Sequence, residues 1–287
     1  MPQEKNSKLE NVSARWLLII TVFWGLTFPV TKGALRFIPA VHFIFFRFAL
    51  ATLVVYFLFR KRIHRDRFRS FWPGFAIAIT IFLGFVAQTV GLNYTTANKS
   101  AFITSMYVVF VPFISYFLEK RKLTFWPGIG ILLAVTGLYF LAKPEAKGVN
   151  IGDILTLSCA LVFAFQIVLT NIYTRRHDGS LLLFYEFAAT TMLCVPLLLL
   201  RTNQPVVWNR SLIFFILYIA LVATVFKIYI QNKYQKNVLT TKAALIYAME
   251  PVFASVFAFL FLREIFTATG YVGAGLIIAG LIVSEVK

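Results

Sequence analysis

The chain has 287 residues, 60% of them hydrophobic and only 14% charged, with a formal net charge of +17. A soluble domain carries roughly one quarter charged residues, so this composition excludes an ordinary soluble enzyme or binding module and points to a protein built for the bilayer. The basic excess alone would suit a nucleic-acid binder, but the positive residues alternate from loop to loop instead of gathering on one domain, so no nucleic-acid partner is expected.

The apolar residues fall into blocks of about twenty, the length that carries a helix across a ~30 Å hydrocarbon core. In chain order the predicted segments 1 to 10 cover 15–35, 40–59, 71–92, 98–117, 124–142, 152–174, 180–200, 210–231, 239–261 and 267–286. Residues 1–14 form a short polar tail before segment 1. Segment 1 has no small-residue cleavage site, which predicts a retained helix and not a removed signal. The connections are too short to hold a soluble domain, so the chemistry must lie within the membrane. Cys159 and Cys194 both fall inside apolar segments, and His42, His64 and His177 are scattered. Neither set has the spacing of a disulfide framework or a metal site, so no metal and no cofactor is expected.

With the N-terminus inside, the cytoplasmic connections and tails carry eighteen Lys and Arg residues, the run Arg60 to Arg69 among them, and the opposite side carries seven. The positive-inside rule then places both termini in the cytoplasm. The run "RKRIHRDRFR" serves as a topology anchor or as a contact for anionic lipid headgroups.

A shift of 143 residues aligns Gln88–Leu138 with Gln231–Leu281. Gln88 meets Gln231, Lys99 meets Lys242, Met106 meets Met249, Gly130 meets Gly273 and Gly137 meets Gly280. The same shift brings Leu26, Thr27 and Thr31 onto Leu169, Thr170 and Thr174. Matches of Gln, Lys and Gly carry more weight than matches of Leu in so apolar a chain, and they indicate an internal duplication. Each half, 15–143 and 150–287, holds five segments, so the second copy enters from the opposite face and the repeats are inverted. The expected fold is therefore an all-α membrane protein of ten transmembrane helices in two inverted-topology five-helix repeats. Such pairs are the architecture of secondary transporters.

The stretches "FWGLTFPVTK" (Phe23 to Lys32), "QTVGLNYTTANKSAFITSMYVVFVP" (Gln88 to Pro112) and "IQNKYQKNVLTTKAALIYAMEPVFASVFAFLFLREIFTATGYVGAGLIIAG" (Ile230 to Gly280) resemble the EamA-like permeases of the drug/metabolite transporter superfamily. The resemblance covers nearly the whole chain. It implies a solute carrier whose central cavity is lined by segments 1, 3, 4, 6, 8 and 9, with the fifth segment of each half peripheral, and it leaves the cargo open among amino acids, nucleotide precursors, drugs and other metabolites. One departure is "EKRKL" (Glu119 to Leu123) where the second half has "LREIF" (Leu262 to Phe266), so any role for Glu264 is not duplicated.

Polar groups inside a bundle cost free energy unless they find a partner, a cavity or a function. In segment 8, Ala220, Thr224, Lys227 and Gln231 share one helical stripe; Thr80, Gly84, Gln88 and Gly91 do so in segment 3. Segment 6 offers Thr156, Cys159, Phe163, Gln166 and Thr170, and segment 1 offers Trp24, Thr27 and Thr31. The candidate cavity residues are Trp24, Thr27, Gln88, Tyr107, Gln166, Thr170, Thr224, Lys227 and Gln231. The competing reading for the amides and hydroxyls is helix-to-helix hydrogen bonding with no solute contact. Lys227 either snorkels to the headgroups or binds an anionic group or an acid, and Lys32 and Arg47 pose the same choice nearer the outer side. Pro29, Pro112, Pro196 and Pro251 interrupt helical hydrogen bonding, and serve either to kink a helix or to expose carbonyls to a cavity. Gly128, Gly130, Ala134 and Gly137, with Gly270, Gly273, Ala274 and Gly280, form small-residue faces that suit close packing within the bundle or a homodimer contact.

Glu250 stands inside the apolar run "YAMEPVFASVF" and aligns with Tyr107, so only one half carries the acid. A charge in hydrocarbon is costly and a proton removes it, so Glu250 is a coupling candidate. Lys227 and Arg47 are ion-pair candidates beside it. The expected function is a secondary carrier for a small organic metabolite in a bacterial inner membrane, working by alternating access with proton coupling or exchange. The alternative is a gated channel or passive facilitator using the same cavity. An enzyme is not expected, since no metal set, nucleophile with base, or phosphate loop is found.

Overall fold

In a membrane every backbone donor and acceptor must be satisfied within the chain, which leaves the helix as the economical form for long apolar runs. The computed structural model describes residues 2–66, 68–142, 150–199, 205–262 and 268–284, and every regular element among them is helical. The first half comprises α1 (Pro2–Gly25), α2 (Thr27–Ala34), α3 (Ala40–Asp66), α4 (Phe71–Gly91), α5 (Ala97–Ser105), α6 (Tyr107–Glu119) and α7 (Phe125–Ala142). The second comprises α8 (Ile151–Thr174), α9 (Gly179–Leu198), α10 (Arg210–Leu217), α11 (Lys227–Tyr234), α12 (Thr240–Tyr247), α13 (Glu250–Leu262) and α14 (Ala268–Val283). Between α10 and α11 the chain stays helical over Tyr218–Phe226 but with i→i+5 winding.

By length and composition seven stretches among the described residues suit a membrane crossing: Ser7–Ala34, Ala40–Asp66, Phe71–Gly91, Ala97–Glu119, Ile151–Thr174, Gly179–Leu198 and Arg210–Asn237. Two shorter apolar helices, Phe125–Leu141 and Ala268–Val283, accompany them. Helix starts are marked by side chains that satisfy the free amides. Asn150 and Asp153 form a reciprocal capping box on α8, and Thr96, Asp178 and Asn209 cap α5, α9 and α10.

The structure differs from the sequence reading in three places. Residues 1–14, read as a tail, are helical from Pro2 onward and continuous with the first apolar block. The polar end of α1 is held by tertiary contacts that hydropathy does not register, since Asn237 donates to Ser13 and Trp16 stacks on Tyr234. Segment 1 is itself split at Leu26, because Pro29 supplies no N–H for the Gly25 carbonyl. Segments 4 and 9, each read as one helix, are both broken, at Met106 and at Ala248–Met249, two positions related by the 143-residue shift. Pro251 removes the donor that the Tyr247 carbonyl would have used.

The helices pack pairwise: α4 against α8 and α9, α3 against α9, and α1 against α11, α12 and α13. Helices α7 and α14, the last of each half, lie along one another. Their approach requires glycine. A Cβ on Gly137 would sit 2.5 Å from the Gly273 carbonyl oxygen, and one on Gly280 would sit 2.5 Å from that of Gly130. The small-residue faces are thus joined within one chain. The main core gathers Trp24, Phe48, Phe85, Tyr107, Phe163 and Tyr247 around the meeting point of both halves.

Candidate functional site

The centre of that core is polar on one side and aromatic on the other. Lys227, the first residue after the i→i+5 stretch, is 3% exposed. Its Nζ lies 3.5 Å from the centre of the Trp24 ring and donates to Gln231 Oε1 at 2.7 Å. Gln231 Nε2 donates onward to Gln235 Oε1 at 2.8 Å, which also accepts from the Tyr247 hydroxyl, and Gln235 Nε2 closes the series on the Ile167 carbonyl. A cation over the face of a tryptophan in a desolvated place gains ~2 kcal/mol or more. Lys227 is therefore retained in the core, and the snorkelling alternative does not describe it.

Arg47 is likewise fully enclosed. Its Nε donates to Thr224 Oγ1 at 2.6 Å while the guanidinium lies 4.0 Å from the centre of the Phe85 ring and 5.4 Å from that of Phe48. Thr224 in turn donates to the Ile219 carbonyl five residues back, a bond that the wider winding makes available. Trp24, Gln166 and Lys227, with Ile81, Phe85, Phe163, Ala223 and Ile228, surround a void of about 10 Å³. That is the space of a single water at most. The centre has no room for a solute.

Of the sequence candidates, Trp24, Gln166 and Lys227 line this void, whereas Thr27, Gln88, Tyr107, Thr170, Thr224 and Gln231 are not among its lining residues. Thr27 donates to the Trp24 carbonyl, Gln88 to Thr104 Oγ1 at 3.2 Å, and Gln166 to Thr170 Oγ1 at 3.0 Å. Tyr107 and Glu250, the repeat-related pair, each have a buried polar atom, the phenol oxygen and Oε2, with no hydrogen-bond partner among the described residues. The pairing of Glu250 with Lys227 considered from sequence is not made: among the described residues no ion pair joins them, and Lys227 is spent on Gln231 and Trp24. The Glu250 carbonyl instead lies against Gly25, where a Cβ would come within 3.1 Å of it and 2.9 Å of the Ala254 nitrogen. Glycine there lets α1 and α13 touch beside the break.

Two acids, one buried and one half-buried, were not among the sequence candidates. Glu186, wholly enclosed, accepts from Asn232 Nδ2 at 3.1 Å. Glu119 accepts from Asn171 at 2.8 Å, Thr240 at 2.7 Å and Ser115 at 2.5 Å. Glu186 is the lone acid in its apolar run, the same signal that drew attention to Glu250. Glu264 lies outside the described residues.

Polar links close both ends of the bundle. At one, Lys99 pairs with Asp153 at 2.6 Å, Thr95 donates to Asp153, and Lys32 donates to the Leu92 and Thr95 carbonyls. At the other, Lys242 pairs with Glu10 at 2.8 Å beside a cleft of about 490 Å³ that Arg121 and Lys122 also line. This cleft shares no lining residue with the Trp24 and Lys227 void.

Known proteins agree with this layout. A crystal structure covering 96% of this chain and 96% of its own superposes with a TM-score of 0.77 at 16% identity, which shows a shared fold. An uncharacterized transporter of Archaeoglobus fulgidus is 38% identical over 94% of this chain and 85% of its own length. A probable amino-acid metabolite efflux pump of Salmonella typhimurium is 26% identical over 93% of this chain and 92% of its own. The EamA-like transporter family matches twice, over residues 12–143 and 150–285. The chain thus belongs to the EamA-like transporter family of the drug/metabolite transporter superfamily, and it is an integral, multi-pass membrane transporter.

Proposed function

We propose that the protein is a secondary carrier that moves a small organic metabolite across the plasma membrane by alternating access, through ten crossing helices in two inverted repeats with both termini cytoplasmic. The observation that carries this reading is a small, cation-bearing void between the two halves, accompanied by helix breaks at repeat-related positions. Broken helices near the middle of a membrane are where transporters expose backbone and polar groups to a solute. Lys227 is the residue for an anionic group of the cargo and Trp24 the face for an apolar one. Amino-acid metabolites are the first class to test, since two relatives are named as probable pumps for them.

Glu250 is the coupling residue in this reading. Its unpartnered oxygen is desolvated, so taking up or losing a proton changes the cost of turning the site toward either face. The test is a solute screen with the purified chain in liposomes, preloaded and unloaded, at two external pH values. Saturable uptake stimulated by solute inside the vesicle supports a carrier. Uptake that is linear in concentration and indifferent to preloading makes it a channel or facilitator.

A further inference from the structure

The 143-residue shift that relates the halves also relates their ion pairs. It takes Lys99 to Lys242 and Glu10 to Asp153. In space Lys99 binds Asp153 and Lys242 binds Glu10, so each pair joins a lysine of one half to an acid of the other. Both lysines are the third residue of their helix, α5 and α12, and both acids lie toward the start of the first helix of their half, α1 and α8. The chain has only eleven acids in all. That two of them, one repeat apart, meet two lysines also one repeat apart is a property of the duplicated fold.

The pairs occupy opposite ends. Glu10 and Lys32 are 22 residues apart on the α1–α2 rod, roughly 33 Å at 1.5 Å per residue. Glu10 holds Lys242, whereas Lys32 reaches the Thr95 carbonyl at 2.9 Å, and the Thr95 hydroxyl donates to Asp153 at 2.9 Å. Trp24, on the wall of the void, falls between Glu10 and Lys32 along the same rod.

We propose that Lys99–Asp153 and Glu10–Lys242 are the two latches of the transport cycle, that one is released when the site opens to each face, and that the described conformation is the occluded one with both fastened. This rests on the alternating-access reading. The pairs suit the task because they are only partly enclosed, with lysine and acid side chains 23% and 6% exposed at one end and 8% and 38% at the other. Ion pairs in contact with water hold weakly enough to be broken in each cycle. Each also tethers α1 or α8 to the broken segment of the other half, so its release frees one end while the other stays shut.

The experiment uses the full chain with Cys159→Ser, Cys194→Ser and a reporter, Ile81→Cys, on the wall of the void, in vesicles of both orientations. The initial rate of labelling by a membrane-impermeant maleimide is read from each side. Asp153→Asn keeps the acceptor oxygen for Thr95 and removes the charge. It is expected to raise labelling from the Lys99 end about fivefold, the upper range for a partly exposed pair, and to lower it from the Lys242 end. Glu10→Gln is expected to do the reverse, and the exchanged pair K99D/D153K to return to the parental rates. Lys99→Gln and Lys242→Gln read the same two ends should an acid variant fail to fold. Unchanged rates, or one variant opening both ends, overturn the latches. A parent without stimulation by preloaded solute overturns the carrier reading instead, and the two failures are separable because the labelling needs no cargo.

Discussion

Replacing Lys227 by methionine separates a functional cation from a structural one. The side chain gains ~2 kcal/mol from its place over Trp24 and about 1.5–3 kcal/mol from its charged hydrogen bond to Gln231. Against that total of roughly 3.5–5 kcal/mol stands the desolvation of a wholly enclosed ammonium, which in proteins is several kcal/mol per ion. The two sides nearly cancel, and methionine fills a similar volume, so the net loss of stability is expected to stay within ~2 kcal/mol. At about 2–4 °C per kcal/mol for a chain of this order the melting temperature falls by less than ~8 °C. Transport of an anionic solute loses the one cation among the described residues on the void wall, and with it about 1.5–3 kcal/mol, or a roughly ten- to 150-fold loss in uptake efficiency. Melting in detergent and initial uptake into proteoliposomes are measured on the same preparation. Lys227→Met that transports at the parental rate refutes the assignment, and a variant that melts far below the stated limit shows that Lys227 is chiefly structural.

Three further outcomes follow from the same geometry. Glu250→Gln is expected to leave uptake measurable but insensitive to external pH, read as flux across a pH series; an unchanged pH profile removes Glu250 from coupling. Asn232→Leu leaves the Glu186 carboxylate buried without its donor and is expected to cost about 3–5 kcal/mol, whereas the double variant with Glu186→Gln recovers much of it, as melting curves will show. Gly137→Ala forces a methyl into backbone atoms at 2.5 Å and is expected to destabilise by ~1–3 kcal/mol, while Gly275→Ala, with nothing within 4 Å, gains up to about 1 kcal/mol of helix propensity.

Much of the fold was legible because the bilayer writes its thickness into block length, and because Gln88, Lys99, Gly130 and Gly137 have unmistakable counterparts 143 residues on. The pairing of α7 with α14 could be foreseen only as a need for some partner, since a small-residue face does not name what it meets. The break at Met106 carries no proline or glycine to betray it, whereas Pro29 and Pro251 mark theirs. At the site, one stripe of segment 8 was read as facing a cavity, and its residues Ala220, Thr224, Lys227 and Gln231 are buried, but the stripe did not say which residues converge: Gln88 and Gln166 spend their amides on neighbouring threonines, and Lys227 is held by an indole and an amide. Glu10 was invisible because it lies in the polar part of α1, where hydropathy is silent and only the meeting of two halves gives it a partner.

The wide winding over Tyr218–Phe226 has a consequence for balance. Its counterpart one repeat earlier, inside α4, is an ordinary α-helix. One residue of α-helix is worth about 100° of rotation, so a change of winding in one half alone turns the side chains beyond it to face a direction their counterparts do not share. Lys227, the first residue beyond that stretch, lies over Trp24, whereas the matching position in the other half is Gly84. Two identical halves would leave the inward and outward forms equal in free energy. Here the halves differ in winding over nine residues of one helix, so the alternating-access carrier proposed above would have a preferred resting side when empty.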